Sequence, residues 1–296
     1  MTTVDPILAL QTLGYTEREA SFLYLVAMHS GYFLRRQFDY FINRHKGAIA
    51  QNFLEKARVA GHVRILDYGQ KWNFYHLFAK PIYRLLGNAE SQHRRAKGDA
   101  QIKTKLMTLD YVLENDTEHF FRTEEERRDY FQIVRGLPTD WLGNHATGEV
   151  SFTNAFPISL ADRMNPQRSV VRFAFIDEGQ LSTSKFLRFI TRMKALFHVL
   201  DRVEVIYIAD SEHNFAAIQH IFARNFHPLV PMAQRQLHQE WMASPRHAGV
   251  TTQRVQPKLT TLLFAYSYPR LHRYEPRGSK HGSYRGSNCM SGSGGE

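Results

Sequence analysis

The chain has 296 residues, 43% of them hydrophobic, with a formal charge of +10 and a pI near 9.7, enough for about two domains and a sizeable core. One cysteine, Cys289, excludes an intrachain disulfide and a cysteine-based zinc site, and no apolar run approaches the ~18 residues of a membrane span. With no charged-then-apolar N-terminal pattern, the sequence reads as cytoplasmic, with an anionic partner: nucleic acid first, a membrane surface second.

Residues 1–105 hold 16 Lys and Arg against 8 Asp and Glu, residues 106–135 hold 4 against 8, and the remainder 18 against 12. The positive excess is therefore concentrated in the first third. Within it, Ile7, Leu8, Leu10, Leu13 and Tyr15 predict a short docking helix. Thr16-Glu17-Arg18-Glu19 is a capping box, opening a helix that runs through Met28 and stops near Gly31. Leu34, Phe38, Phe41 and Ile42 fall at i, i+4, i+7 and i+8 and predict a second helix. Arg44 to Gly47 breaks that pattern. Residues 48–60 predict a third helix with Ile49, Phe53, Ala57 and Ala60 inward, Leu54 beside them and Gly61 as its stop. His62–Asp67 and Trp72–Leu77 flank the turn Tyr68–Lys71 as a β-hairpin.

Helix, turn, helix, hairpin is the order of a winged helix, whose second paired helix enters the major groove while the wing lies on phosphates. Gln51, Asn52, Lys56 and, further round, Glu55 point away from the predicted core. Amides and cations are what base edges and phosphates require. The expected DNA-binding set is Arg35, Arg36, Arg44, Lys46, Gln51, Asn52, Lys56, Arg58, Arg64 and Lys71. The same pattern also fits a solvated basic face, or a winged helix that binds protein.

Further along, Pro81 opens a helix that Gly87 ends. Residues 88–104 read as a polar, basic linker in which His93-Arg94-Arg95-Ala96-Lys97 offers an extra phosphate contact. A helix carries Ile102, Leu106, Leu109, Tyr111, Val112 and Leu113 and breaks at Glu114–Glu118. Thr123–Glu126 is a second capping box, opening a helix through Tyr130, Phe131 and Val134 to Gly136.

The winged-helix pattern, the continuation Leu77–Gly87, and Leu106–Leu113 followed by the Thr123 helix resemble the replication-relaxation family. That resemblance covers about residues 10–230. It implies a winged helix ahead of a restriction-endonuclease-like α/β domain, and DNA binding in the replication, transfer or regulation of a plasmid or integrative element.

Beyond residue 150, Ser151–Thr153 and Ala155–Leu160 read as short strands and Val170–Asp177 as a firmer one. Ser184–Leu200 is an amphipathic helix with Arg188, Arg192 and Lys194 outward, followed by a strand at Val203–Asp210 and a helix at Asn214–Asn225. Strand, strand, helix, strand, helix is the order of a restriction-endonuclease core and equally of plain α/β sandwiches. Such a nuclease needs carboxylates at adjacent strand ends to hold Mg²⁺, and a lysine nearby. Asp162, Asp177 and Glu178 supply the acids, but Gly179 and Gln180 stand where the lysine belongs. A nuclease would therefore have to use Asp177, Glu178 and a relocated Lys185. His213 and His220 make no metal spacing, and no Gly-rich phosphate loop or GxSxG elbow is present. Met232–Met242 reads as a further helix and Lys258–Tyr266 as a last strand or helix.

The expectation is an α+β chain: a winged-helix DNA-binding domain (1–90), a helical linker (91–136), an α/β domain without catalysis (137–270) and a disordered tail (271–296). It would bind double-stranded DNA as a homodimer, with a replication or transfer protein as a further partner, and without metal or cofactor.

Overall fold

The structure is a computed structural model describing residues 5–43, 47–67, 73–138, 156–179, 182–226 and 259–266. The expected strand Ser151–Thr153, helix Met232–Met242 and tail 271–296 lie outside them.

The N-terminal part opens with α1 (Pro6–Gln11), capped by Asp5, and α2 (Glu17–His29). The capping box at the head of α2 is formed in both directions, Glu19 N to Thr16 Oγ1 at 3.4 Å and Thr16 N to Glu19 Oε2 at 2.9 Å. Gly31 ends α2 at φ +79°, and a Cβ there would meet the His93 carbonyl oxygen at 2.4 Å. Backbone conformation and close approach therefore both require glycine.

Next come β1 (Tyr32–Leu34), α3 (Arg35–Phe41), α4 (Ile49–Val59), β2 (Val63–Asp67) and β3 (Asn73–Leu77). The three strands form an antiparallel sheet in the order β1-β3-β2. Leu34 pairs with Phe74 in β1 rather than opening α3. The inner face of α4 is Ala50, Phe53, Leu54 and Ala57. Ile49, 39% exposed, and Ala60 lie outside it. Residues 50, 53, 54 and 57 repeat at i, i+3, i+4 and i+7, so the helix is turned by one position from the predicted face. Phe22, Phe33, Phe38 and Phe53 meet at the centre of this core, Phe38 stacking on Phe53 at 4.2 Å between ring centroids.

After α5 (Lys80–Leu85) and a short 3₁₀ turn at Gln92–Arg94, α6 (Asp99–Glu114) begins five residues before the predicted linker was to end. From Leu106 to Leu113 every residue of α6 is buried, the polar Thr108 and Asp110 included, so this helix is enclosed on all sides. Leu109 and Leu113 pack into the N-terminal core. Ile102, Leu106, Met107, Tyr111 and Val112 join Tyr32, Leu34 and Phe74 on one side and Ala174, Ile176, Ile206 and Ile208 on the other. Residues 99–114 thus form a layer of shared core between the two sheets.

The second sheet runs β4-β5-β6-β7-β8, from β4 (His119–Phe120), β5 (Ile158–Leu160), β6 (Val171–Asp177), β7 (Arg202–Ala209) and β8 (Leu259–Tyr266). The β4–β5 and β5–β6 pairs are antiparallel, and β6–β7–β8 is parallel. Between β4 and β5, α7 (Glu124–Asp129) continues into a π turn at Tyr130–Val134. The period of two in β6 and β7 decides what lies on each side. Ala174, Ile176, Ile206 and Ile208 meet α6. Val171, Phe173, Val203, Val205 and Tyr207 meet α8 (Thr183–Val199) and α9 (Phe215–Phe226). The whole is a mixed α+β fold, and no helix among the described residues is long and apolar enough to cross a membrane.

Candidate nucleic-acid interface

The candidate interface is built on the outer face of α4. Gln51 and Asn52 in its first turn and Glu55 and Arg58 further on are exposed, and Lys56 is half-buried. None belongs to the core, because Phe53, Leu54 and Ala57 take every inward position of the same turns.

What holds the surrounding cations is less open than their number implies. Lys56 Nζ lies 2.6 Å from Glu19 Oε2, 3.3 Å from the Gly14 carbonyl and over the ring of Tyr15. Arg58 makes two hydrogen bonds to Glu55, at 2.9 and 2.6 Å, and this contact holds the Glu55 carboxyl below its ordinary range. Arg35 pairs with Asp39 at 3.6 Å and reaches Gln51 Oε1 at 3.5 Å. The exposed pairs are screened by solvent and weak, so a phosphate can displace them.

Arg36 is a different case. It forms two parallel bonds to Asp110 of α6, at 2.8 and 2.7 Å, the geometry of a planar fork on a carboxylate. Gln37 beside it receives the Leu34 amide at 2.8 Å and donates to the Leu106 carbonyl and to Asp110, both at 2.9 Å. Arg36 therefore ties α3 to α6. The sequence contained Asp110, but a partner 74 residues away leaves no local signal.

Arg64 in β2 donates from Nε to His76 Nδ1 at 3.0 Å and lies over Phe78. That bond leaves Nε2–H of His76 to donate to the His93 carbonyl, 3.0 Å away, while the ring stacks on Tyr32 at 4.2 Å. Burial pushes the His76 imidazole down to about 4, and burial pushes His29, at the end of α2, down to about 3. Both are therefore neutral at physiological pH. Arg44, Lys46 and Lys71 lie outside the described residues.

The residues of the alternative nuclease are not brought together. Asp177, 2% exposed, ends β6 on the α8 side, where it accepts from Tyr207 Oη, from the Gly179 amide at 2.9 Å and from Asn214 Nδ2 at 3.2 Å. Burial and the adjacent Asp177 together raise the Tyr207 hydroxyl well above its ordinary pKa. Glu178 accepts from Thr104 of α6 at 3.3 Å, on the opposite side of the sheet. Next to it Lys103 pairs with Asp210, and Gly179, at φ +89°, packs so close to Asp210 that a Cβ would meet its Oδ2 at 2.9 Å. Lys185 is exposed in the first turn of α8. Asp162 caps a turn through the amides of Met164 and Asn165. Among the described residues no group of three His, Cys, Asp or Glu converges as a metal site.

No family model, curated protein or solved structure matches this chain.

Proposed function

We propose that residues 6–85 are a winged helix and that the chain binds double-stranded DNA, with α4 in the major groove and the β2–β3 hairpin on the flanking phosphates. One observation carries this reading. The order α2-β1-α3-α4-β2-β3, closed by a sheet in the order β1-β3-β2, leaves α4 with an outer face of Gln51, Asn52, Lys56 and Arg58. An amide in the first turn of a groove-entering helix can bond an adenine edge at two points. As the resemblance drawn from the sequence implies, the DNA would belong to a plasmid or integrative element. The protein would act in its replication, transfer or regulation, as a homodimer and alongside a replication or transfer protein. The five-stranded sheet would then be a restriction-endonuclease-like scaffold without catalysis, because Asp177 and Glu178 are engaged on opposite sides of it.

A second reading has its own observation. Arg35, Arg36, Lys56 and Arg58 each have a carboxylate of this chain as partner, which suits a winged helix that docks protein. Electrophoretic shift of the full chain on duplex DNA across a salt series decides between the two. Binding that weakens steeply as salt rises is expected for DNA contact. A folded chain that shifts no duplex even at low salt would leave the protein-docking reading.

A further inference from the structure

The α8–α9 layer closes the side of the five-stranded sheet opposite α6, so its outer surface faces away from the N-terminal core. The 17 residues of α8 and the 12 of α9 contain no aspartate or glutamate. The apolar face of α8, Phe186, Phe189, Ile190, Met193, Leu196 and Phe197, is buried. Lys185, Arg188 and Arg192 follow one another on its outer face at i, i+3 and i+7, with Lys194 on the far flank and Leu187, 41% exposed, between. Arg224 is exposed on α9.

The cations of α3 and α4 are neutralised by neighbouring carboxylates. Lys185, Arg188, Lys194 and Arg224 have no such carboxylate: among the described residues none of the four forms an ion pair. Lys185, Arg188, Lys194 and Arg224, on helices that carry no acid of their own, draw polyanions and their counterions, and long side chains can reach successive phosphates without reading a base.

We infer that the outer face of α8 and α9 is a second nucleic-acid surface, which takes the phosphate backbone of a duplex without regard to sequence. The inference rests on the duplex-binding reading for its ligand class but not on α4. The chain would then grip DNA at two faces, one reading bases and one holding the backbone, on one bent duplex or on two separate ones.

The test uses the full chain with a random-sequence duplex, measuring affinity across a salt series. The proteins compared are wild type, the α8 variant Lys185→Gln/Arg188→Gln/Lys194→Gln, the α9 variant Arg224→Gln and the α4 variant Gln51→Ala/Asn52→Ala. All the substituted side chains lie off the buried core, so the fold is expected to persist, and circular dichroism checks it. Each phosphate contact contributes about 0.9 to the slope of log affinity against log salt. The α8 variant should therefore lower that slope by roughly 2–3, and Arg224→Gln by about 0.9, while the α4 variant leaves it unchanged. Unchanged slopes in both the α8 and α9 variants would overturn the inference while leaving the α4 reading intact. A loss in the α8 variant beside an α4 variant equal to wild type, on native-locus and random duplex alike, would uphold the inference and overturn base reading by α4. Loss of binding to phosphatidylserine vesicles with duplex binding unaltered would also overturn it, assigning the face to anionic lipid.

Discussion

Two helices present cations outward, and they differ in what holds those cations. On α4 and its neighbour α3, Lys56 faces Glu19, Arg58 faces Glu55 and Arg35 faces Asp39. On α8, Lys185, Arg188 and Lys194 face no acid of this chain among the described residues. The first third of the sequence carries the larger charge excess, yet Arg35, Arg36, Lys56 and Arg58, the described cations of α3 and α4, each sit against a carboxylate. Charge along a sequence is therefore a poor measure of charge available at a surface. An interface built like α4 favours geometry over field strength: amides that read, and cations that must first leave a partner. One built like α8 favours field strength and reads nothing.

The locked region should be the one that acid breaks, and this is the largest effect expected. His29 and His76 are buried and neutral, with folded pKa values of about 3 and about 4 against about 6.5 when unfolded. Their contribution to stability is full above pH 6.5 and is lost as pH falls through that window toward the folded values. Each costs about 1.4 kcal/mol per pH unit while only the unfolded state binds its proton. Urea denaturation from pH 7 to pH 4.5 should show that loss, and His76→Gln should flatten it. A pH-independent midpoint would mean these imidazoles are not buried as described.

Next in size is the joint. Arg36→Ala should destabilise the fold by roughly 3 kcal/mol, because the Asp110 carboxylate beneath α3 loses its cation and keeps only the Gln37 amide, with little change in the salt dependence of DNA binding. Arg58→Ala should do the reverse. If Arg36→Ala were neutral in thermal denaturation yet weakened DNA binding, Arg36 would be a contact and not a tie.

Smallest is the release of a cation. Glu55→Gln frees Arg58 and removes a negative charge from the outer face of α4, so it should tighten duplex binding several-fold. Unchanged or weaker binding would place α4 away from phosphate.

Much of this was legible in the sequence, and the misses share a cause. Capping at Thr16 and Thr123, the strands at Val171–Asp177 and Arg202–Ala209, and the helices at Thr183–Val199 and Phe215–Phe226 all followed from side-chain period and local chemistry. The strands Tyr32–Leu34 and His119–Phe120 did not, because two or three residues set no period and their pairing partners lie more than 35 residues away. The face of α4 was misjudged by one position because Ile49 is apolar but precedes the packed turns. At the candidate site, the exposure of Gln51 and Asn52 was legible. The pairing of Arg36 with Asp110 and of Lys56 with Glu19 was not, since ion pairs across 74 and 37 residues are set by tertiary packing alone.

The central claim is that α4 reads duplex DNA. Its most direct test is the affinity of the full chain for native-locus and random duplexes, compared between wild type and Gln51→Ala/Asn52→Ala. Loss of a bidentate amide–adenine contact costs roughly 1–3 kcal/mol at a specific site and nothing at a random one. The double variant should therefore fall about 10-fold or more on the native-locus duplex and hold its affinity on random DNA. Equal affinities of wild type and variant on both duplexes would contradict the account.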